Sequence, residues 1–112
     1  MSTISYNDFL KINICVGTIL HAEENNKLQK PSIILTIDFG KIIGIKKSSA
    51  QLKSNYKCED LIKQQILAVI NFPPKKIGNF ISEVLVLGLP DNNNQPILVS
   101  PIQKIQNGKK LY

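Results

Sequence analysis

Two short apolar runs, Ile66–Ile70 and Val84–Leu87, constrain this chain more than any other feature. Both are too short for helices of ordinary length and rich in β-branched residues, so they read as strands. Between them Pro73 and Pro74 fix the backbone as it leaves the sheet, and Gly78 permits a turn. Lys75 and Lys76 stand where that connection is most exposed. The stretch from Gln65 to Leu89 therefore reads as strand, rigid basic loop, strand. Neither run alternates between apolar and polar residues. A closed barrel buries only the inward face of each strand, so the outer faces here need a cover, from the terminal segments or from a second subunit. Removing apolar surface from water is worth about 25 cal/mol per Å². A two-fold homodimer is the expectation.

The rest of the chain supports a small β architecture. Ser5–Lys11 is predicted to form one helical turn, with Ser5 as N-cap, Asp8 in the capping-box position, and Tyr6, Phe9 and Leu10 as anchors. A strand follows, with Ile12, Ile14 and Val16 on one face and Asn13, Cys15 and Gly17 on the other. Gly17 within it marks a bend or a close approach. The strand runs on to His21, which reads as a rim residue because no partner for base or ligand chemistry can be assigned to it. Ala22–Pro31 is polar and predicted as a loop. Ser32–Phe39 is the next strand, with Ile33, Leu35, Ile37 and Phe39 sharing one face. Gly40 and Lys41 are expected to turn the chain, and Ile43 and Ile45 to restart a strand that runs into Lys46-Lys47-Ser48-Ser49. Strand periodicity sends the two lysines to opposite faces. A solvated strand end and a phosphate-facing patch both remain open readings there. Ala50–Gln64 lacks strand character, and Glu59–Ile62 suggests a helical turn plugging one end of a barrel. Pro90–Asn94 is a turn and Ile97–Val99 a further short strand. Asn107-Gly108 is a turn signal with too little strand beside it for a hairpin, and apolar Leu111 and Tyr112 are expected to dock. Five or six short strands with one or two helical turns indicate a small β-barrel. At 112 residues there is room for one domain, 1–112, with one modest core.

Lysine plus arginine number 14 against 8 acidic residues, a formal charge of +6, and all of the basic residues are lysine. Lysine is a hydrated point charge suited to undirected attraction of phosphate or carboxylate, whereas bidentate base reading uses arginine. The balance points to an anionic partner or to a merely soluble basic surface. Cys15 and Cys58 are far apart with no metal-ligand spacing, so both are read as small hydrophobes and no cofactor is expected. No apolar run reaches the roughly 18 residues of a membrane span, and no cleavable leader is apparent. The expectation is a cytoplasmic protein without membrane insertion.

No enzymatic constellation stands out. The carboxylates are scattered, and phosphate-loop, HExxH and nucleophile-elbow patterns are missing. The serine and glutamate at Ser82-Glu83 are strand neighbours that point apart. Binding is the remaining class, and the chain is expected not to be an enzyme. For RNA a barrel supplies lysines for the backbone and aromatics for stacking. Phe72, Phe80 and Tyr56 are the candidate exposed aromatics, each equally a candidate for the core. The small aromatic set, without tryptophan, favours recognition of RNA shape and phosphates over an extended stacking platform.

Particular strings carry a resemblance. KINICVGTI at Lys11–Ile19, LTIDFG at Leu35–Gly40, GIKKSSAQL at Gly44–Leu52, AVINFPPKKIGNFISEVLVLG at Ala68–Gly88 and NGKKL at Asn107–Leu111 together resemble the CsaA family. These are stand-alone proteins built on the tRNA-binding domain also appended to methionyl-tRNA synthetases. The resemblance covers nearly the whole chain in order. It implies an all-β OB-fold, a five-stranded barrel with a core of about residues 12–90 and short N- and C-terminal extensions in a homodimer interface. It further implies a cytoplasmic protein that binds tRNA or structured RNA, or a protein-export chaperone that binds unfolded precursors and the secretion ATPase; the two roles can coexist. By resemblance, the RNA-binding rim would comprise Lys46, Lys47, Ser48, Ser49, Asn71, Lys75, Lys76 and Ser82. A peptide pocket would use Phe72, Pro73, Pro74 and Phe80. Two departures from the family pattern stand out. Asn13 and Cys15 replace the usual aspartate and arginine of the first strand. Their joint loss leaves no orphan charge, but it weakens the case for a tRNA grip like that of the relatives. Lys63-Gln64-Gln65 replaces a string with a glycine before its Lys-Gln, a change the fold is expected to tolerate.

Overall fold

The computed structural model describes residues 1–26 and 30–112. A single turn of helix, α1 (Tyr6–Leu10), opens the chain. Ser5 caps it as expected: its hydroxyl accepts from the Asp8 N–H at 3.1 Å while the Asp8 carboxylate accepts from the Ser5 N–H at 3.3 Å. The long strand β1 (Ile14–Asn25) is followed by β2 (Ser32–Asp38), a helical turn α2 (Gly40–Ile43) and β3 (Ile45–Ala50). A turn α3 (Cys58–Leu61) leads into β4 (Gln65–Val69). Beyond it lie the hairpin β5 (Lys75–Ile77) and β6 (Phe80–Ser82), then β7 (Leu85–Val86), β8 (Gly88–Pro90) and β9 (Pro96–Leu98).

Five strands form one antiparallel sheet in the order β3-β2-β1-β4-β7, curled into the half-barrel of an OB-fold-like topology. Strand alternation decides what fills it. Cys15 and Ile19 of β1, Ile33, Leu35 and Ile37 of β2, Ile66 and Ala68 of β4, and Val84 all point inward, with Phe39, Leu52 and Leu61 closing the ends. Leu61 is the plug anticipated between Glu59 and Ile62. Gly17 is a close approach: a Cβ there would lie 2.6 Å from Ile37 Cγ2 and 2.7 Å from Phe39 Cδ1.

The outer faces of the apolar runs are partly covered from within the chain. Gly108–Leu111 lies against the free side of β1. Gly108 N–H donates to Val16 O at 2.8 Å, Val16 N–H to Lys109 O at 3.0 Å, and Leu111 N–H to Ile14 O at 2.7 Å. Val99 also accepts from Leu67 N–H at 3.0 Å. On that side Val16 and Val69 are withdrawn from solvent, although neither belongs to the main core. The terminus docks by its backbone, while Leu111 and Tyr112 keep their side chains exposed.

Three local expectations need correction. The predicted loop Ala22–Pro31 begins as strand, because β1 continues to Asn25, pairing Ala22 with Leu35 and Asn25 with Ser32. A register shift between Ile19 and His21 turns Ala22 inward, and the rest of that segment borrows its order from β2 despite its polar composition. The part of that loop at 27–29 lies outside the described residues. Gly40–Ile43 is a helical turn, so Ile43 ends it and does not restart a strand. The loop Phe72–Phe80 is itself a hairpin turning at Gly78, whose φ is 61°, and within the second run only Leu85–Val86 is strand, β7.

Candidate functional site

The β5–β6 hairpin folds across the open seam of the half-barrel, beside the edge strand β3. Glu83, just after β6, stitches that seam. Its N–H donates to Lys47 O at 2.8 Å, and its carboxylate accepts from Lys47 N–H at 3.0 Å. The same carboxylate lies 4.0 Å from the Lys46 ammonium, a solvent-screened pair of little energetic weight. Serines complete the stitching. Ser48 is buried and donates to Val84 O at 2.9 Å. Ser82 Oγ accepts from Ser49 N–H at 3.2 Å and lies 3.4 Å from both Ser48 Oγ and Val84 O, while the Ser49 and Ser32 hydroxyls are 2.9 Å apart.

Beside this seam opens a cleft of about 360 Å³ whose lining includes Ser49, Phe72, Pro73, Lys75, Ser82 and Glu83. Residues assigned to RNA and residues assigned to peptide thus meet in one place. The pairing Lys75 with Ser82 and Lys76 with Ile81 sets Lys75 on the cleft side of the hairpin and Lys76 on the other. Lys46 and Lys47 do fall on opposite faces, across from Ile37 and Thr36 respectively.

Other selected residues are placed elsewhere. Ser48 is in the core, its hydroxyl used by the seam. Asn71 is exposed but engaged: its amide donates to Lys11 O and its carbonyl oxygen accepts from Asn13 N–H, both at 2.8 Å. Pro74 is exposed beside the cleft without lining it. Phe80 lines a separate cleft with Glu23 and Glu24. Tyr56 packs against the core, and its hydroxyl accepts from Leu98 N–H at 3.0 Å. Sequence reasoning considered Glu83 only as an improbable catalytic partner of Ser82 and missed its place in the seam, for which one signal was available. It is the sole carboxylate between Asp60 and Asp91, set amid apolar strand. A larger cleft, about 700 Å³, opens between α2 and the Asn107-Gly108 turn, and no residue selected for a site lines it.

At the departures in β1, the Cys15 side chain sits in the core, where burial pushes its thiol pKa up against the opposing pull of Lys110. A neutral thiol there needs no counter-charge. Among the described residues no three His, Cys, Asp or Glu side chains gather as a metal site, and no helix is long and apolar enough to cross a membrane.

Residues 14–110 match the family described as "Putative tRNA binding domain". The structure superposes on the chaperone CsaA from Bacillus anthracis with a TM-score of 0.92 and 46% identity, covering 99% of this chain and 100% of that one. The chain belongs to the CsaA family. The CsaA chaperone protein from Picrophilus torridus gives a TM-score of 0.90 at 48% identity, covering 98% of this chain and all of the other. Both whole-length relatives are named chaperones rather than enzymes. Methionine–tRNA ligase of Bacteroides fragilis is 26% identical over 110 residues, 98% of this chain. This CsaA-family chain spans only 16% of that ligase's length. Its kinship is thus to tRNA-binding and chaperone proteins at once.

Proposed function

We propose that this CsaA-family protein binds tRNA or another structured RNA through the lysine-bearing β5–β6 hairpin and the adjoining edge of β3. The observation that carries this reading is the cleft-facing Lys75 on an exposed hairpin, in a chain of net charge +6 whose cations are all lysine. Lysines at several points around such a seam attract a phosphate backbone without demanding a base sequence, which suits recognition of RNA shape. Lys46, Lys47 and Lys76 extend the positive field to either side of Lys75. Neutralising about four phosphates gives a slope of roughly −3 to −4 in log affinity against log salt. Titration of tRNA at several salt concentrations tests this. Replacing Lys46, Lys47, Lys75 and Lys76 together should weaken binding by orders of magnitude, and micromolar protein giving no tRNA shift at low salt defeats the reading.

A second reading, a chaperone for unfolded precursor segments that works with the secretion ATPase, is favoured by exposed Phe72 and Pro73 in the same cleft and by the chaperone names of the relatives. It requires weakly salt-dependent binding of apolar peptide and suppressed aggregation of a precursor at stoichiometric protein. For assembly we propose a two-fold homodimer through the uncovered part of the outer face, where Leu85 of the Ile14–Val69–Leu85 row is 49% exposed. A monomeric mass in light scattering at micromolar concentration counts against it.

A further inference from the structure

Of the three aromatics singled out for stacking, Tyr56 is committed to the core and Phe80 to another cleft, whereas Phe72 is 51% exposed. Its backbone is held from both sides. Asn71, immediately before it, is tied by its side chain to Lys11 O and Asn13 N–H, and Ile70 N–H donates to Asn13 O at 2.9 Å. Pro73 and Pro74, immediately after it, fix their own φ, and Pro73 also restricts Phe72 to extended conformations. An exposed ring on so constrained a backbone loses little entropy when a ligand packs on it.

The surroundings of the ring specify the ligand. Phe72 and Pro73 give the cleft apolar surface and Lys75 lines it with a cationic side chain, while the Ser82 hydroxyl beside them is already engaged by Ser49 N–H. The Glu83 carboxylate at its margin accepts from Lys47 N–H and has the Lys46 ammonium 4.0 Å away. Flat apolar surface beside a cation fits a base joined to a phosphate, while an apolar peptide side chain makes no use of Lys75. A volume of about 360 Å³ is near the lower end of the roughly 300–1,000 Å³ of small-ligand pockets. That is room for one nucleotide and not for a stacked run.

We propose that Phe72 is a stacking platform for a single unpaired nucleobase, with the phosphate of that nucleotide on Lys75. This rests on the RNA-binding reading above and deepens it. The RNA preferred is one that presents an unpaired nucleotide beside a structured backbone, with little dependence on which base it is, since every base has a π-face.

The test compares three probes of equal length at one fixed salt: a single-stranded oligoadenylate, an abasic ribose-phosphate strand and a fully paired RNA duplex. Phe72→Ala should lower affinity for oligoadenylate by about 5- to 150-fold, the range expected for one stacked base. It should leave the abasic strand, the duplex and the salt slope unchanged, because no phosphate contact is removed. Phe72→Trp should retain binding. Because the chain otherwise lacks tryptophan, its emission reports on this site alone and should be quenched by oligoadenylate but not by the abasic strand. Equal loss on all three probes, or none on oligoadenylate, overturns the proposal. So does quenching by an apolar peptide without quenching by oligoadenylate, which assigns the cleft to peptide. Unchanged oligoadenylate affinity in Phe72→Ala alongside intact tRNA binding defeats this inference alone. A wild-type protein that binds neither tRNA nor any probe defeats the RNA reading with it.

Discussion

Lys63 adopts a left-handed backbone conformation, with φ at 76°, at the entry to β4. The conformation is enforced by its surroundings: Lys63 N–H donates to Ile19 O at 2.7 Å, and Ile19 N–H donates to Gln64 O at 2.9 Å. These bonds hold the chain leaving α3 against β1, so the backbone cannot relax without opening that junction. The Lys63 side chain is exposed and makes no ion pair among the described residues, so its removal loses no packing. A left-handed conformation costs a residue with a Cβ about 1–2 kcal/mol. Glycine gives back about 0.4–1 kcal/mol through the greater freedom of the unfolded chain. Lys63→Gly should therefore stabilise by about 0.5–1 kcal/mol, equivalent to about 2–4 °C in Tm for a domain of this size. Lys63→Ala is the control, since it removes the same charge and keeps the Cβ, and it should leave Tm nearly unchanged. Urea and thermal unfolding followed by far-ultraviolet circular dichroism supply both numbers. Destabilisation by Lys63→Gly, or equal stabilisation by glycine and alanine, refutes the backbone argument; the latter result would assign the effect to charge.

Gly17→Ala should cost about 1–3 kcal/mol by overpacking fully buried Ile37 and Phe39. Combining it with Phe39→Leu should recover part of that loss in urea unfolding, a non-additivity expected of residues in contact. Asp91 is held below the usual carboxylate range by N–H donation from Gln95, then by the Asn55 amide and by Asn93 N–H. Because its folded pKa is depressed, its contribution is present above the ordinary aspartate range and is lost as pH falls through the folded value. Wild-type Tm should exceed that of Asp91→Ala near neutrality and converge on it in acid; parallel profiles contradict this. Cys15 is buried, Cys58 is partly exposed, and desolvation raises both thiol pKa values. A thiol reagent should modify one cysteine per chain slowly in the native protein and the second only on unfolding. Two equally fast native thiols would show that Cys15 is not held in the core.

The amino-acid sequence by itself determined the β character, the helical cap at Ser5, the plug at Leu61 and the close approach at Gly17. The first three depend on residues adjacent in the chain or on a strand period of two, and the last is signalled by a glycine inside a strand. It also carried the family, because the strings at Gly44–Leu52 and Ala68–Gly88 are long and specific. Only the tertiary structure decided which polar groups remain free for a ligand. Ser48 and Ser49 are neighbours of similar chemistry, yet Ser48 is buried with its hydroxyl on Val84 O, while Ser49 lines the cleft with its hydroxyl paired to that of Ser32. The difference comes from the register of β3 against β2 and from the seam with Glu83. Asn71 looked available and is a clamp, because Lys11 and Asn13 come beside it only after β1 and β4 pair. The polar strand Ala22–Asn25 was invisible for the same reason, its order being supplied by β2. Local chemistry names the candidates; hydrogen bonds between residues distant in the chain decide which of them are already taken.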